Sequence, residues 1–184
     1  MTEWEKMLAG EPYAAATPEF WDKLRATRDA LHDFNTCRPT ETAKLEAIIR
    51  KVLGKTGERF SIMQPFRCDY GCNISVGEDF FANFNLTILD EARVTIGANC
   101  FIGPNVGIYT ACHPLDAAER NKGTEWAEPV TIGDSVWIGG GVTICPGVTI
   151  GDRCVIGAGS VVVKDIPAGS VAVGNPARVV KKIG

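Results

Sequence analysis

From about residue 60 onward the chain repeats itself every six residues, and that period leaves few folds open. Ile132, Ile138, Ile144, Ile150, Ile156 and Val162 lie six apart, and two residues before each stand Val130, Val136, Val142, Val148, Cys154 and Ser160. The residue after each is Gly133, Gly139, Cys145, Gly151, Gly157 or Val163. An earlier block follows the rule less regularly: Val76-Gly77, Ala82-Asn83 and Ile88-Leu89, then, after a slip of two residues, Ile96-Gly97, Ile102-Gly103 and Ile108-Tyr109. Six residues fit neither a 3.6-residue helix nor a long strand. A short strand supplies inward side chains at i and i−2, and glycine just after i permits a sharp turn where a Cβ would clash. Three such strands and turns make one coil of roughly 18 residues, and stacked coils give each strand the ladder partners it lacks alone. The expected architecture over residues 58–184 is a mainly β prism, a parallel β-helix.

The repeat breaks between Cys112 and Val130. The segment HPLDAAERNKGTEWAEP has no period and carries six charged residues between two well-formed rungs, so residues 112–130 are expected to leave the prism as a loop. Loops longer than about 12 to 15 residues inside a compact domain usually serve function. Residues 1–57 read instead as short helices, with apolar spacing at Trp4, Met7 and Leu8, at Phe20, Leu24, Leu31 and Phe34, and at Leu45, Ile48, Ile49, Val52 and Leu53. Thr17-Pro18-Glu19 marks the start of the second, Thr40-Glu41 opens the third and Gly54 ends it. Their apolar faces are expected to pack on the rest.

Composition narrows the partners. With 45% hydrophobic residues, 22% charged residues and a net charge of −3, the 184-residue chain suits one soluble domain with a modest appendage. Nineteen Lys and Arg against 22 Asp and Glu form no dense basic stripe, which argues against nucleic acid. No window approaches the about 18 uninterrupted apolar residues of a membrane span, and the N-terminus is acidic and amphipathic, so a cytoplasmic protein is expected. Seven cysteines, without CxxC spacing, read as reduced; four stand where the repeat wants a small apolar residue. Cys68 and Cys72 form a CxxxC with no ligands to complete a tetrahedron, so no metal is expected.

Several motifs add specificity: FN at 34–35, FRCDYG at 66–71, FFANFN at 80–85, YTACHP at 109–114, PVTIGDSVWIGG at 129–140, IGAGSVVVKDIP at 156–167 and GNPARVVKK at 174–182. In these the chain resembles the hexapeptide-repeat acyltransferases, and within them the maltose and galactoside O-acetyltransferase branch. The resemblance covers nearly the whole chain. It implies a left-handed parallel β-helix, against the usual right-handed crossover, and a homotrimer with acetyl-CoA in clefts between neighbouring prisms.

O-acetyl transfer needs a base for the hydroxyl proton, donors for the thioester oxyanion, a phosphate cradle and an acceptor pocket. Of two histidines, His32 lies within the helical section and suits a surface or packing role. His113 opens the excursion, where a side chain can face a cleft, and the family places its base at this position. Asn83 in FFANFN is an outward carboxamide able to donate to substrate or oxyanion, as the resemblance implies. The resemblance also puts Asp69 and either Asp90 or Glu91 at the acceptor, where carboxylates accept hydrogen bonds from sugar hydroxyls. An acidic acceptor ligand that some members carry falls at Ala15 here. For acetyl-CoA, Trp137 beside Gly139-Gly140-Gly141 suits the pantetheine arm, with only main chain to offer at Gly140. Ala158, Val163, Lys164, Arg178 and Lys181 match further family positions; with Lys182, the basic ones would suit the phosphates of CoA.

Other readings are weaker. A zinc hydratase on the same prism needs three histidines, and this chain has two. A Cys112 nucleophile beside His113 fails because neighbours in an extended strand point to opposite faces. A non-catalytic scaffold and an acetyltransferase for a non-sugar hydroxyl remain as alternatives. Maltose, glucose, a galactoside and a lipo-oligosaccharide all present the primary hydroxyl such a site requires.

Overall fold

A computed structural model of the chain describes residues 1–183. The hexapeptide region forms three parallel sheets around one core, wound as successive coils. The first face stacks Ile74–Val76, Val94–Ile96, Val130–Ile132 and Thr149–Ile150. The second stacks Phe60–Ile62, Phe80–Ala82, Phe101–Ile102, Trp137–Ile138, Val155–Ile156 and Ser170–Val173, with Arg178–Lys182 added antiparallel at its end. The third stacks Phe66–Cys68, Leu86–Leu89, Gly107–Tyr109, Thr143–Ile144 and Val161–Val162. This is the expected parallel β-helix.

Both inward positions of the repeat are buried throughout, from Ile74 and Val76 to Ser160 and Val162. Each buried Ile or Val contributes about 1.5 to 3 kcal/mol relative to exposure, so the stacked column holds the prism together. The turn chemistry differs from the sequence reading. Left-handed backbone falls three residues after the inward residue, at Asn85, Asn99, Asn105, Ser135 and Arg153, not at the glycine that follows it directly. That glycine serves close approach between coils: a Cβ on Gly103 would lie 2.6 Å from the Gly140 amide nitrogen, and one on Gly139 equally close to that of Ala158.

Coil length is uneven, and the unevenness has one location. Late coils advance 18 residues, as Thr131 pairs with Thr149, whereas early ones advance 20, as Ser61 pairs with Phe81 and Thr87 with Gly107. The extra residues all enter where the third face passes to the first: Cys68 to Val76 and Ile88 to Ile96 each take eight residues, and Ile108 to Ile132 takes 24. Below, this edge is the irregular corner. The edge between the second and third faces keeps its six-residue step and is the regular corner.

The helical section holds α1 (Glu3–Ala9), α2 (Pro18–Thr36) and α3 (Thr42–Val52). At 19 residues α2 is longer than the short helix expected, because its apolar stripe from Phe20 to Phe34 packs continuously. Thr17 is its N-cap with Pro18 at N1, but the Thr17 side chain makes no capping hydrogen bond. Glu41, not Thr40, precedes α3, and Leu53 caps its end. Residues 1–57 are also not purely helical, since Tyr13–Ala14 forms a strand.

The excursion corrects a larger expectation. It does not wander off as a loop: Ala111–Cys112 leaves the prism, α4 (Ala117–Arg120) reverses the chain, and Thr124–Ala127 returns antiparallel. Thr124–Ala127 also pairs with Tyr13–Ala14, so a small three-stranded sheet ties the excursion to the N-terminal section of its own chain. A second apolar cluster of Met7, Tyr13, Phe20 and Tyr70 fixes that section on the irregular corner, with Trp4 edge-on to Tyr70 at 4.9 Å. The excursion is thus held by its own chain and not left free to reach another.

Candidate active site

The irregular corner gathers the acids. Asp69 follows the third-face strand of the first coil and Asp90 and Glu91 that of the second, so coil stacking places these acids in one column; His113 follows Ala111–Cys112, the strand on which the chain leaves the third coil at the same corner. A cavity of about 170 Å³ opens there, lined by Ala15, Trp21, Tyr70, Asp69, Glu91 and Glu125.

Glu125 was not foreseen. It sits on the middle strand of the three-stranded sheet, directly across from Tyr13 on one side and next to the Cys112–Trp126 pair on the other. Cross-strand neighbours approach within about 5 Å. Its Oε1 accepts the Tyr13 hydroxyl at 2.5 Å, and its Oε2 lies 3.6 Å from His113 Nδ1. Tyr13 is buried, and burial together with the Glu125 carboxylate drives its hydroxyl pKa far up, so it stays a donor. Glu125 is thus gripped from behind and faces the imidazole, whose ring is half exposed. No local motif announced this, because the pairing depends on the register of the returning strand.

The two acids at 90 and 91 divide in role. Asp90 is fully buried, and its carboxylate accepts the backbone N–H groups of Asp69, Tyr70 and Asn73. Burial raises its pKa to about 7 against the pull of the Tyr70, Gly71 and Asn73 amides. The structure therefore gives Asp90 to the turn after Cys68, not to the acceptor, and leaves Glu91 facing the cavity. Glu91 accepts the Thr110 hydroxyl at 3.2 Å; burial first and the nearby Asp69 carboxylate second push its pKa up to about 9. Its carboxyl is thereby biased towards the protonated form, which can donate as well as accept. Ala15 lines the same cavity with a methyl group.

The regular corner carries a different cleft. Asn83, Trp137, Gly140 and Ala158 line a groove of about 490 Å³ together with Phe81 and Phe101. That volume lies within the ~300–1,000 Å³ range of small-molecule sites. Trp137 and Phe101 stand largely exposed along it, stacked in register on the second face. Asn83 Oδ1 accepts the Phe84 amide at 2.8 Å, and no described residue accepts from its Nδ2. Gly140 is also packed: a Cβ there would come within 3.2 Å of the Pro104 carbonyl oxygen, so its backbone approaches its own prism as well as the groove.

Val163, Lys164, Arg178 and Lys181 are not part of that groove's lining. All four are exposed beyond its end, Val163 and Lys164 after the last third-face strand and Arg178 and Lys181 on the terminal strand of the second face. Lys182 is spent on its own chain, donating to Ser170 Oγ at 2.8 Å. Cys112 lies half buried beside His113, and burial raises its thiol pKa, which disfavours a thiolate nucleophile. His32 is exposed on α2.

Asn83 and His113 do not meet in one chain. They stand at opposite ends of the third face, whose strand Leu86–Leu89 alone spans about 10 Å, three steps of about 3.3 Å. A general base works within about 3 Å of its proton.

Comparison with known proteins identifies the fold's relatives. The maltose acetyltransferase hexapeptide capping motif matches residues 6–57, the bacterial transferase hexapeptide matches 129–164 and the hexapeptide repeat of succinyl-transferase matches 93–110. The galactoside O-acetyltransferase of Escherichia coli is 42% identical over 97% of this chain and 88% of its own length. The crystal structure of a maltose O-acetyltransferase from Clostridium difficile superposes with a TM-score of 0.99 at 52% identity, covering 100% of this chain and 98% of that one. A galactoside acetyltransferase solved in complex with coenzyme A gives a TM-score of 0.96 at 42% identity, covering 100% and 92%. No described helix is long and apolar enough to cross a membrane. With whole-length identity of this order and both the capping and the repeat motifs in place, the chain belongs to the hexapeptide-repeat acyltransferases, in the branch of maltose and galactoside O-acetyltransferases.

Proposed function

We propose that this chain transfers the acetyl group of acetyl-CoA to a primary hydroxyl of a sugar such as maltose, glucose or a galactoside, with His113 as general base. The observation that carries the reading is the line Tyr13, Glu125, His113 beside a cavity rimmed by Asp69 and Glu91. Glu125 faces Nδ1 of His113, which leaves Nε2 to the acceptor hydroxyl. His113 takes the hydroxyl proton as the oxygen attacks the thioester carbonyl, then returns it to the departing thiolate. Asn83 Nδ2 has free donors for the oxyanion that forms in between. Asp69 and Glu91 orient the acceptor through its other hydroxyls.

Because base and donor groove lie at opposite corners of one prism, a working site requires the irregular corner of one copy against the regular corner of another. Repeated head to tail, that contact closes into a ring, and three corners favour a homotrimer. Acetyl-CoA would run along the groove past Trp137, Gly140 and Ala158, and Lys164, Arg178 and Lys181 would receive its phosphates beyond the groove's end. Two measurements test this. Incubation with acetyl-CoA and a panel of glycosides should release thiol and add one acetyl to a primary hydroxyl; release with no hydroxyl acceptor in the panel would overturn the reading. Sedimentation should give about three times the 19.8 kDa chain mass, whereas a monomer would leave the site incomplete.

A further inference from the structure

A second groove, of about 630 Å³, runs between α2 and the third face. One wall carries Arg28 and His32, four apart on the same side of α2; the other carries Arg67 in the strand Phe66–Cys68 and Asp69 just past its end, with Thr87 from the next coil. The walls are fixed relative to each other. Asn35 of α2 donates to the Phe66 carbonyl and accepts the Phe66 amide, both at 2.9 Å, as if it were a strand partner.

Two features of this groove point to a ligand. Neither the Arg28 nor the Arg67 guanidinium makes a hydrogen bond or ion pair with any described residue; the Arg38, Arg93 and Arg153 guanidiniums are also without such partners, but of these five only Arg28 and Arg67 line the groove. And Asp69 lines both this groove and the carboxylate cavity, so the groove continues the acceptor pocket away from His113. Two guanidiniums on facing walls present forks that match an oxyanion two oxygens at a time.

We propose that this groove is an extension of the acceptor site in which Arg28 and Arg67 bind an oxyanion substituent, a phosphate, sulfate or carboxylate, carried by the sugar. The proposal rests on the acceptor reading of the Asp69 cavity given above. It makes the preferred acceptor an anionic glycoside, with its reacting hydroxyl at His113 and its charge beyond Asp69.

The test compares glucose 1-phosphate with methyl glucoside on the intact protein, alongside Arg28→Gln/Arg67→Gln. Both residues are exposed and without partners, so the double variant should fold normally. Calorimetry should show the phosphate ester binding at least about tenfold tighter than the neutral glycoside, with the preference lost in the double variant and weakened by salt. In turnover the variant should raise KM for the phosphate ester about tenfold and leave KM for methyl glucoside and for acetyl-CoA within about twofold. Equal binding of the two sugars, or a preference that survives in the double variant, overturns the proposal. So does inorganic phosphate binding at the two arginines without any gain for the phosphorylated sugar, since the anion would then be free phosphate and not part of the acceptor. Loss of all acetyl transfer with the calorimetric preference intact would instead count against the proposed reaction.

Discussion

The two corners that flank the third face are built from the same repeat and have become opposites. At the regular corner every step is six residues, glycines let coil rest on coil, and the outcome is a shallow groove of Trp137, Phe101 and backbone. At the irregular corner three successive steps are lengthened, by two, two and 18 residues, and the inserted residues include Asp69, Asp90, Glu91 and His113. Periodicity fixes a scaffold but offers few outward polar groups; the breaks in it supply the chemistry. A groove of backbone and aromatic surface suits a donor common to many relatives, while the inserted acids suit an acceptor that differs among them.

The contrast is sharpest at His113. Its replacement by Ala should lower turnover about a hundredfold to ten-thousandfold and leave acetyl-CoA affinity nearly intact, because a general base contributes mainly in the transition state and little to binding of the donor. Isothermal calorimetry with CoA and steady-state kinetics separate the two; lost affinity with unchanged turnover contradicts the assignment. Glu125→Gln should cost less, about tenfold in kcat with KM for acetyl-CoA within twofold, since the carboxamide keeps the shape but not the charge that steadies the protonated imidazole. A parallel change in both constants would make Glu125 merely structural.

Stability should reverse the order of the corners. Gly103→Ala places a Cβ 2.6 Å from the Gly140 amide nitrogen, a backbone atom that cannot swing away, and should lower the melting temperature by several degrees, at about 1 to 3 kcal/mol for overpacking. In the excursion, Gly123 has open space around its missing side chain and a φ of 78°, so Gly123→Asn should change the melting temperature little. Comparable losses at both would erase the distinction between a packed and an open corner.

The smallest expected effect is one of pH. Glu91 has a folded pKa near 9, above its ordinary 4.5, so the folded chain holds a proton that the unfolded chain has released. The stability this represents is complete below about pH 4.5 and is lost as pH rises towards 9. Glu91→Gln, which cannot ionise, should flatten the decline in melting temperature between pH 6 and pH 9; an unchanged slope would assign the decline to other groups, Asp90 being the next in line at about 7.

How much of this could be read beforehand follows the same division. The prism, its inward residues and the location of the excursion follow from side-chain period alone, since Val130 to Val162 obey a spacing that only stacked coils satisfy. The candidate roles of His113 and Asn83 came with the family resemblance. What stayed hidden depends on contacts between distant segments: Glu125 reaches His113 only through the register of the returning strand, Tyr13 enters through a two-residue strand too short to carry a pattern, and Asp90 and Glu91 look alike in sequence although one caps a turn and the other faces a cavity. The following glycine was assigned to the turn when the turn lies two residues later, because a steric need between coils and one within a turn leave the same mark.

The central claim is that one active site is assembled from unlike corners of two copies, and mixed oligomers test it directly. His113→Ala and Asn83→Ala should each be nearly inactive alone. Unfolded together, refolded as a mixture and assayed for acetyl transfer, they should recover activity, because a site that takes its base from the Asn83→Ala chain and its carboxamide from the His113→Ala chain is whole; random assembly makes about a quarter of the sites so. Recovery to about that fraction is the predicted result. A mixture that forms hybrid oligomers yet stays as inactive as its parents would show that His113 and Asn83 serve the same chain, and would contradict the account.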